Sequence, residues 1–342
     1  TNSGSTQVNC VARWSGTAWV ALQSGVTQGS GTTEVRGMTE WNGNLIVAGN
    51  FSHAGTVTAN RIARWDGTSW FALGTGMDSD VDAVDVYNGE LVATGIFFSA
   101  GDVFTANSIA RWNGSVWQQL GYGLGGRGWA LLVHADRLLA GGDIVWAGET
   151  GAAGLAQWDG SAWSHVVAGS GITENGFVAD MTVHNGDLVA VGNFGVAGTT
   201  LVSGIASWDG TAWIRPAPDP FEDLVLGPSA VASYEGSLVV AGIISTQWDP
   251  RISNIIGWNG TAWSDFDSGV NSPVAALCVN AGSLFAGGYF TMAGGTPASG
   301  VARWDGSSWH ALGSGVDGGV LALTTYGGAL VVAGDFANAG QA

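Results

Sequence analysis

An all-β fold, a seven-bladed β-propeller of four-stranded antiparallel blades, is predicted by three features of this chain. One motif recurs seven times, a second motif alternates with it, and the chain ends carry complementary halves of one unit. The first motif reads Ala-Arg-Trp-Asp-Gly-Thr-Ser-Trp at 63–70. Its leading Trp falls at 14, 65, 112, 158, 208, 258 and 304, a period of about 48 residues. A second Trp follows five residues later each time, leaving Trp41, Trp129, Trp146 and Trp248 outside the pattern. The alternating motif reads Tyr-Asn-Gly-Glu-Leu-Val-Ala-Thr-Gly at 87–95.

Strands a and b flank the Asn-Gly turn of the second motif, as at Asn42-Gly43, Asn88-Gly89 and Asn185-Gly186. Strands c and d flank the Asp-Gly or Asn-Gly turn of the first, as at Asp66-Gly67 and Asn113-Gly114. Both are expected as two-residue type I′ turns, because Asn or Asp followed by Gly tolerates positive φ at both central positions. The flanks are short, β-branched and aromatic, without helical periodicity. Strand b ends on Gly and leads into Gly-Asn-Phe-Ser-His-Ala-Gly at 49–55, where Phe and Ala-Gly shape a common bend. The chain opens with a c–d pair, Cys10 to Leu22, and finishes with an a–b pair, Val320 to Phe336. Joined, these make one blade and close residues 1–342 into a single domain, since an open array has no need for complementary ends.

The Ile-Ala-Arg-Trp-Asp-Gly-Thr-Ser-Trp string at 62–70, set behind a Gly-ending strand, resembles kelch-family repeats. It is similar, more specifically, to the repeats of cortical-marker propellers and related bacterial cell-surface proteins. The resemblance runs over essentially the whole chain. It implies an extracytoplasmic binding or structural module, and it carries scaffold residues, not a catalytic set.

Composition narrows the partners. Charged residues are 11% of the chain, and the net charge is −17. All ten basic residues are Arg. Such an acidic surface disfavours phosphate backbones and anionic headgroups, so no nucleic acid and no membrane insertion is expected. A chain starting at Thr1, poor in charge and lacking Lys, reads as extracellular, cell-surface or periplasmic. Three sequons occur, at Asn50, Asn113 and Asn259. Cys10 and Cys278 are too few for a disulfide scaffold, though a single staple near the chain end is open to them.

The repeated Trp residues read as packing between blades, since each buries on the order of 150–250 Å². Arg13, Arg64, Arg111 and Arg303, each preceding the first Trp, read as stacking or bonding to a neighbouring blade. No cofactor is implied. The two Gly-x-Gly-x-x-Gly matches, at Gly121 and Gly313, lead into strands, and the dinucleotide fingerprint needs a helix there. The five His are scattered over different blades and make no metal set. Asp78, Asp80 and Asp82 form an Asp-x-Asp-x-Asp run that reads as solvated carboxylates, with Ca²⁺ the alternative.

The variable b–c and d–a connections share one face, and binding residues concentrate on variable loops held by a scaffold. The blade around residue 230 departs most, with Glu222 in one connection and Trp248, Asp249 and Arg251 in the other. Trp248 with Asp249 and Arg251 has the chemistry to stack a sugar and fix its hydroxyls. Trp129 and Trp146 fall on the same face. These six residues form the expected ligand site of a non-catalytic module for a carbohydrate or protein partner, or a component of a larger surface assembly. The alternative is a polysaccharide lyase or glycoside hydrolase on the same scaffold.

Overall fold

A computed structural model describes residues 5–166, 171–172, 176–217, 224–246 and 254–340. Those residues contain no helix. They form seven four-stranded antiparallel sheets, each ordered a-b-c-d, together with several two- and three-stranded ones. The architecture is propeller-like. In the first sheet the strands are Glu34–Trp41, Asn44–Asn50, Ile62–Trp65 and Trp70–Ala72. The a strands of the second to the sixth are Val81–Tyr87, Gly128–His134, Phe177–His184, Leu224–Tyr234 and Val274–Asn280. The seventh sheet joins both chain ends: Val320–Tyr326 and Ala329–Gly334 supply a and b, Val11–Trp14 and Trp19–Ala21 supply c and d. Val11 pairs with Ala333 and Trp14 with Leu330 across that junction.

Among the described residues no single closed sheet unites the seven; neighbouring sheets are held mainly by packing. The a strand of each sheet lies against the a strand of the next, and the seventh lies against the first. Strand alternation explains the layout of the core. On strand b of the first sheet, Leu45 and Val47 face the seventh sheet while Ile46 and Ala48 face the second, and all four are buried. Both faces of a sheet are therefore apolar. The core is divided into seven clusters, one between each consecutive pair of sheets.

The repeated Trp pairs belong to these clusters, with ring centroids 5.0 Å apart for Trp14–Trp19 and 5.7 Å for Trp208–Trp213. In five of the sheets the second Trp also bonds across the junction, whereas the buried Trp213 Nε1 has no partner among the described residues. Trp70 Nε1 donates to the Leu22 carbonyl at 3.0 Å, and Trp117 Nε1 to that of Leu73 at 2.8 Å. The buried indole N–H is thereby satisfied by the sheet it packs against.

Several local expectations need correction. The a–b turns are type I′-like, with positive φ at both Asn42 (50°) and Gly43 (72°). The c–d turns are not: Gly67 has φ 101° while Asp66 and Thr68 keep negative φ. Asp66 Oδ1 instead accepts Thr68 N–H and Ser69 N–H, both at 2.8 Å, so its carboxylate ties the loop from outside the tight turn. The b–c segment is a small hairpin of its own, His53–Ala54 with Val57–Thr58, which pairs in turn with Val26–Thr27 of the preceding connection. Arg64 and Arg111 serve their own sheets: Arg64 bonds Asn44 and lies over Phe71, and Arg111 pairs with Glu90. Cys10 and Cys278 are free thiols. Burial pushes them up to about 12 and about 11 respectively.

Candidate functional site

Every a strand carries a β-bulge at the same place. The register shifts across Val35/Gly37, Val81/Ala83, Gly128/Ala130, Val178/Asp180, Pro228/Ala230, Val274/Ala276 and Val320/Ala322. The residues skipped are Arg36, Asp82, Trp129, Ala179, Ser229, Ala275 and Leu321, and all seven line one cavity of about 590 Å³. The bulge also explains the Gly that ends each strand b. A Cβ on Gly49 would sit 2.1 Å from the Glu34 carbonyl oxygen, and one on Gly142 2.0 Å from that of Arg127. Only a residue without a side chain lets the bulged strand come this close.

The cavity wall is lopsided. Sheets one to three supply an arc of alternating charge. Arg127 grips Asp82 with Nε at 2.6 Å and Nη2 at 2.7 Å, a bidentate pair. Arg36 Nη1 bonds Asp80 at 2.8 Å and Asp82 at 3.3 Å, and its Nη2 bonds Glu34. Arg61 approaches Asp80 at 3.8 Å. Burial works against the Arg36 charge, and the surrounding carboxylates more than reverse this, holding the guanidinium above its ordinary value. The Asp82 side chain is only 2% exposed, so the carboxylate at the centre of the arc is shielded from solvent between its two arginines.

The other walls are aromatic or small. The Arg127 guanidinium covers one face of Trp129 at 4.0 Å, and Phe177 lies 6.2 Å from the same indole. Tyr289 stands at the mouth with its hydroxyl donating to Asp335 at 3.1 Å. Ala179, Ser229 and Ala275 leave the far side open. Within it sits Asp180, whose Oδ1 accepts Met181 N–H at 2.8 Å and whose Oδ2 accepts Val231 N–H of the next sheet at 2.9 Å. Burial pushes this carboxyl up to about 6, against the lowering effect of its two hydrogen bonds.

No family model and no curated protein matches the chain. Among solved structures it is similar to the computationally designed Ika8 protein, with a TM-score of 0.50, 15% identity, and coverage of 92% of this chain and 97% of that one. At such identity the likeness concerns the fold alone. The propeller-like architecture stands on it and on the sheets; the kelch and cortical-marker resemblance has no family match behind it.

Of the six expected site residues, Glu222, Trp248, Asp249 and Arg251 lie outside the described residues. Trp129 lines the central cavity. Trp146 does not: it sits 38% exposed on the small strand Trp146–Ala147, against Gly125. Asp80 and Asp82 are neither solvated nor a Ca²⁺ cradle, since arginines occupy them, and Asp78 caps a loop by accepting Phe98 and Ser99 N–H. Among the described residues no group of three or more potential ligands converges on a metal position. Sequence reasoning missed Arg36, Arg127, Phe177 and Asp180 as cavity residues. The seven strand-ending Gly were the available signal, because each faces a bulge.

Proposed function

We propose that the seven sheets are the blades of one closed seven-bladed β-propeller. We propose further that it serves as a non-catalytic binding module outside the cytoplasm, with a carbohydrate held in the central cavity. Closure is supported by the seventh sheet, built from both chain ends, and by the packing of its a strand on that of the first. The binding reading rests on one observation: an aromatic pair, Trp129 and Phe177, adjoins a rigid arc of Arg and carboxylate groups in the wall of a cavity of sugar-sized volume. Apolar rings with a few fixed polar groups are what an uncharged, hydroxyl-rich ligand requires. Because each arginine is already matched by carboxylate, the arc offers hydrogen bonds without a net charge to attract a strong anion.

The hydrolase or lyase alternative draws on Asp180, a carboxyl raised toward the range of a general acid. Both of its oxygens are engaged by main-chain N–H groups, which favours binding over catalysis. A protein partner on the loop face draws instead on exposed Phe98, Phe104 and Tyr122.

A glycan-array screen of the wild type, Trp129→Ala and Trp248→Ala tests the reading. The expected result is a discrete hit weakened at least about tenfold by Trp129→Ala and kept by Trp248→Ala. A hit lost only in Trp248→Ala moves the site to the loops, and no hit at all overturns carbohydrate binding.

A further inference from the structure

A second cavity, of about 640 Å³, opens between the sixth and seventh sheets on the face of the a–b and c–d turns. It exists because a plug is missing. At other junctions the last residue of strand a reaches across to the next sheet. Trp41 Nε1 donates to the Gly89 carbonyl at 2.9 Å, Tyr87 hydroxyl to that of Asp136 at 3.2 Å, and Tyr234 hydroxyl to that of Gly282 at 3.3 Å. In the sixth sheet this residue is Asn280, and the turn it would reach is Gly327-Gly328, bare of side chains on both residues. Asn280 and both glycines line the opening.

Into this space faces Arg303. Two of its counterparts have partners within their own sheets, Asn44 for Arg64 and Glu90 for Arg111, while the exposed Arg13 has none among the described residues. The corresponding residue in the sixth sheet is Ser283, too short to reach. The Arg303 guanidinium makes no hydrogen bond or ion pair with any described residue. Its neighbour across the ladder, His310, is engaged with Asp305 at 2.6 Å. No carboxylate lines the cavity, although the chain holds 27 acidic residues against ten arginines. Trp14 lines the same cavity, as does Phe285, the ladder neighbour of Arg303 on strand b.

We propose that this cavity binds a small organic carboxylate with a ring-sized apolar body. The Arg303 fork would take the carboxylate in bidentate fashion, and Trp14 and Phe285 would contact the body. The site is independent of the central cavity and of what that cavity holds.

Titration with benzoate, acetate and inorganic phosphate, followed by ligand-observed NMR, tests it on the wild type, Arg303→Gln and Asn280→Tyr. The last restores the plug and is expected to raise the melting temperature, so its loss of binding is not a loss of folding. Saturable benzoate binding, stronger than that of acetate or phosphate and weakened at least about tenfold by each variant, is the expected result. Benzoate binding unchanged in both variants, or none in the wild type up to about 10 mM, overturns the proposal. Phosphate binding as tightly as benzoate overturns the assignment to a carboxylate with an apolar body.

Discussion

At the position following each bulge, six sheets carry Gly or Ala, among them Gly37, Ala83 and Ala322, and the fourth carries Asp180. This one carboxyl makes the cavity wall respond to acid. Its ordinary value is 3.8 and its folded value is about 6, so ionising it costs more in the folded protein than in the unfolded chain. Its stabilising contribution is therefore complete below about pH 4 and is lost as pH rises through about 6. Asp180→Ala, which installs the residue of the neighbouring sheets, is expected to flatten the melting temperature between pH 4 and pH 7. Melts recorded across that range decide it, and a variant whose pH profile parallels the wild type rules the assignment out. The opposite sign holds at the c–d turns. Asp159, pulled down to about 2 by Ala162 N–H and by the Ser161 hydroxyl and N–H, stabilises above its unfolded value and loses that effect only in strong acid.

The strand elements were largely legible in the sequence, and the bulges were not. Alternation, Trp spacing and Asn-Gly turns reveal strands a to d because each is a local signal repeated seven times. A bulge inserts one residue without marking it, and the seven bulge residues, from Arg36 and Trp129 to Ala275, share no chemistry. Their partners do: the strand-ending Gly is uniform because the bulged backbone leaves no room for a Cβ. Gly142→Ala is therefore expected to destabilise the protein by roughly 2–3 kcal/mol, by forcing strand b off the Arg127 carbonyl. Urea unfolding measures this, and a cost below about 0.5 kcal/mol would show that the bulge relaxes freely. The c–d turn was misread for a related reason. Asp66-Gly67 has the composition of a type I′ turn, but the carboxylate caps two N–H groups downstream and shifts the tight turn by one residue.

At the scale of the molecule, the sheet number and the joining of the ends were readable, since the terminal a–b and c–d pairs complement each other. The cavity contents were not, because they come from seven segments spread over about 290 residues of sequence and meet only when the sheets assemble. Deleting residues 1–22 would remove strands c and d of the seventh sheet. Strand Ala329–Gly334 would lose one of its two partners, and the cluster against the first sheet would lose Cys10, Val11 and Leu22. Aggregation or a broadened, non-cooperative melt is expected by sedimentation and calorimetry. A soluble monomer with an unchanged melting temperature would refute closure.

The joined seventh sheet also sets an order in time. Val11–Trp14 and Trp19–Ala21 leave the ribosome before Val320–Tyr326 and Ala329–Gly334 exist. At about 5–20 residues per second the wait is on the order of 15–60 s, during which a strand pair with an unpaired edge is exposed. On the proposed closed arrangement, closure would come from behind, with the earliest strands engaged last. Until the final strands arrive, that waiting edge is open to pairing with other chains.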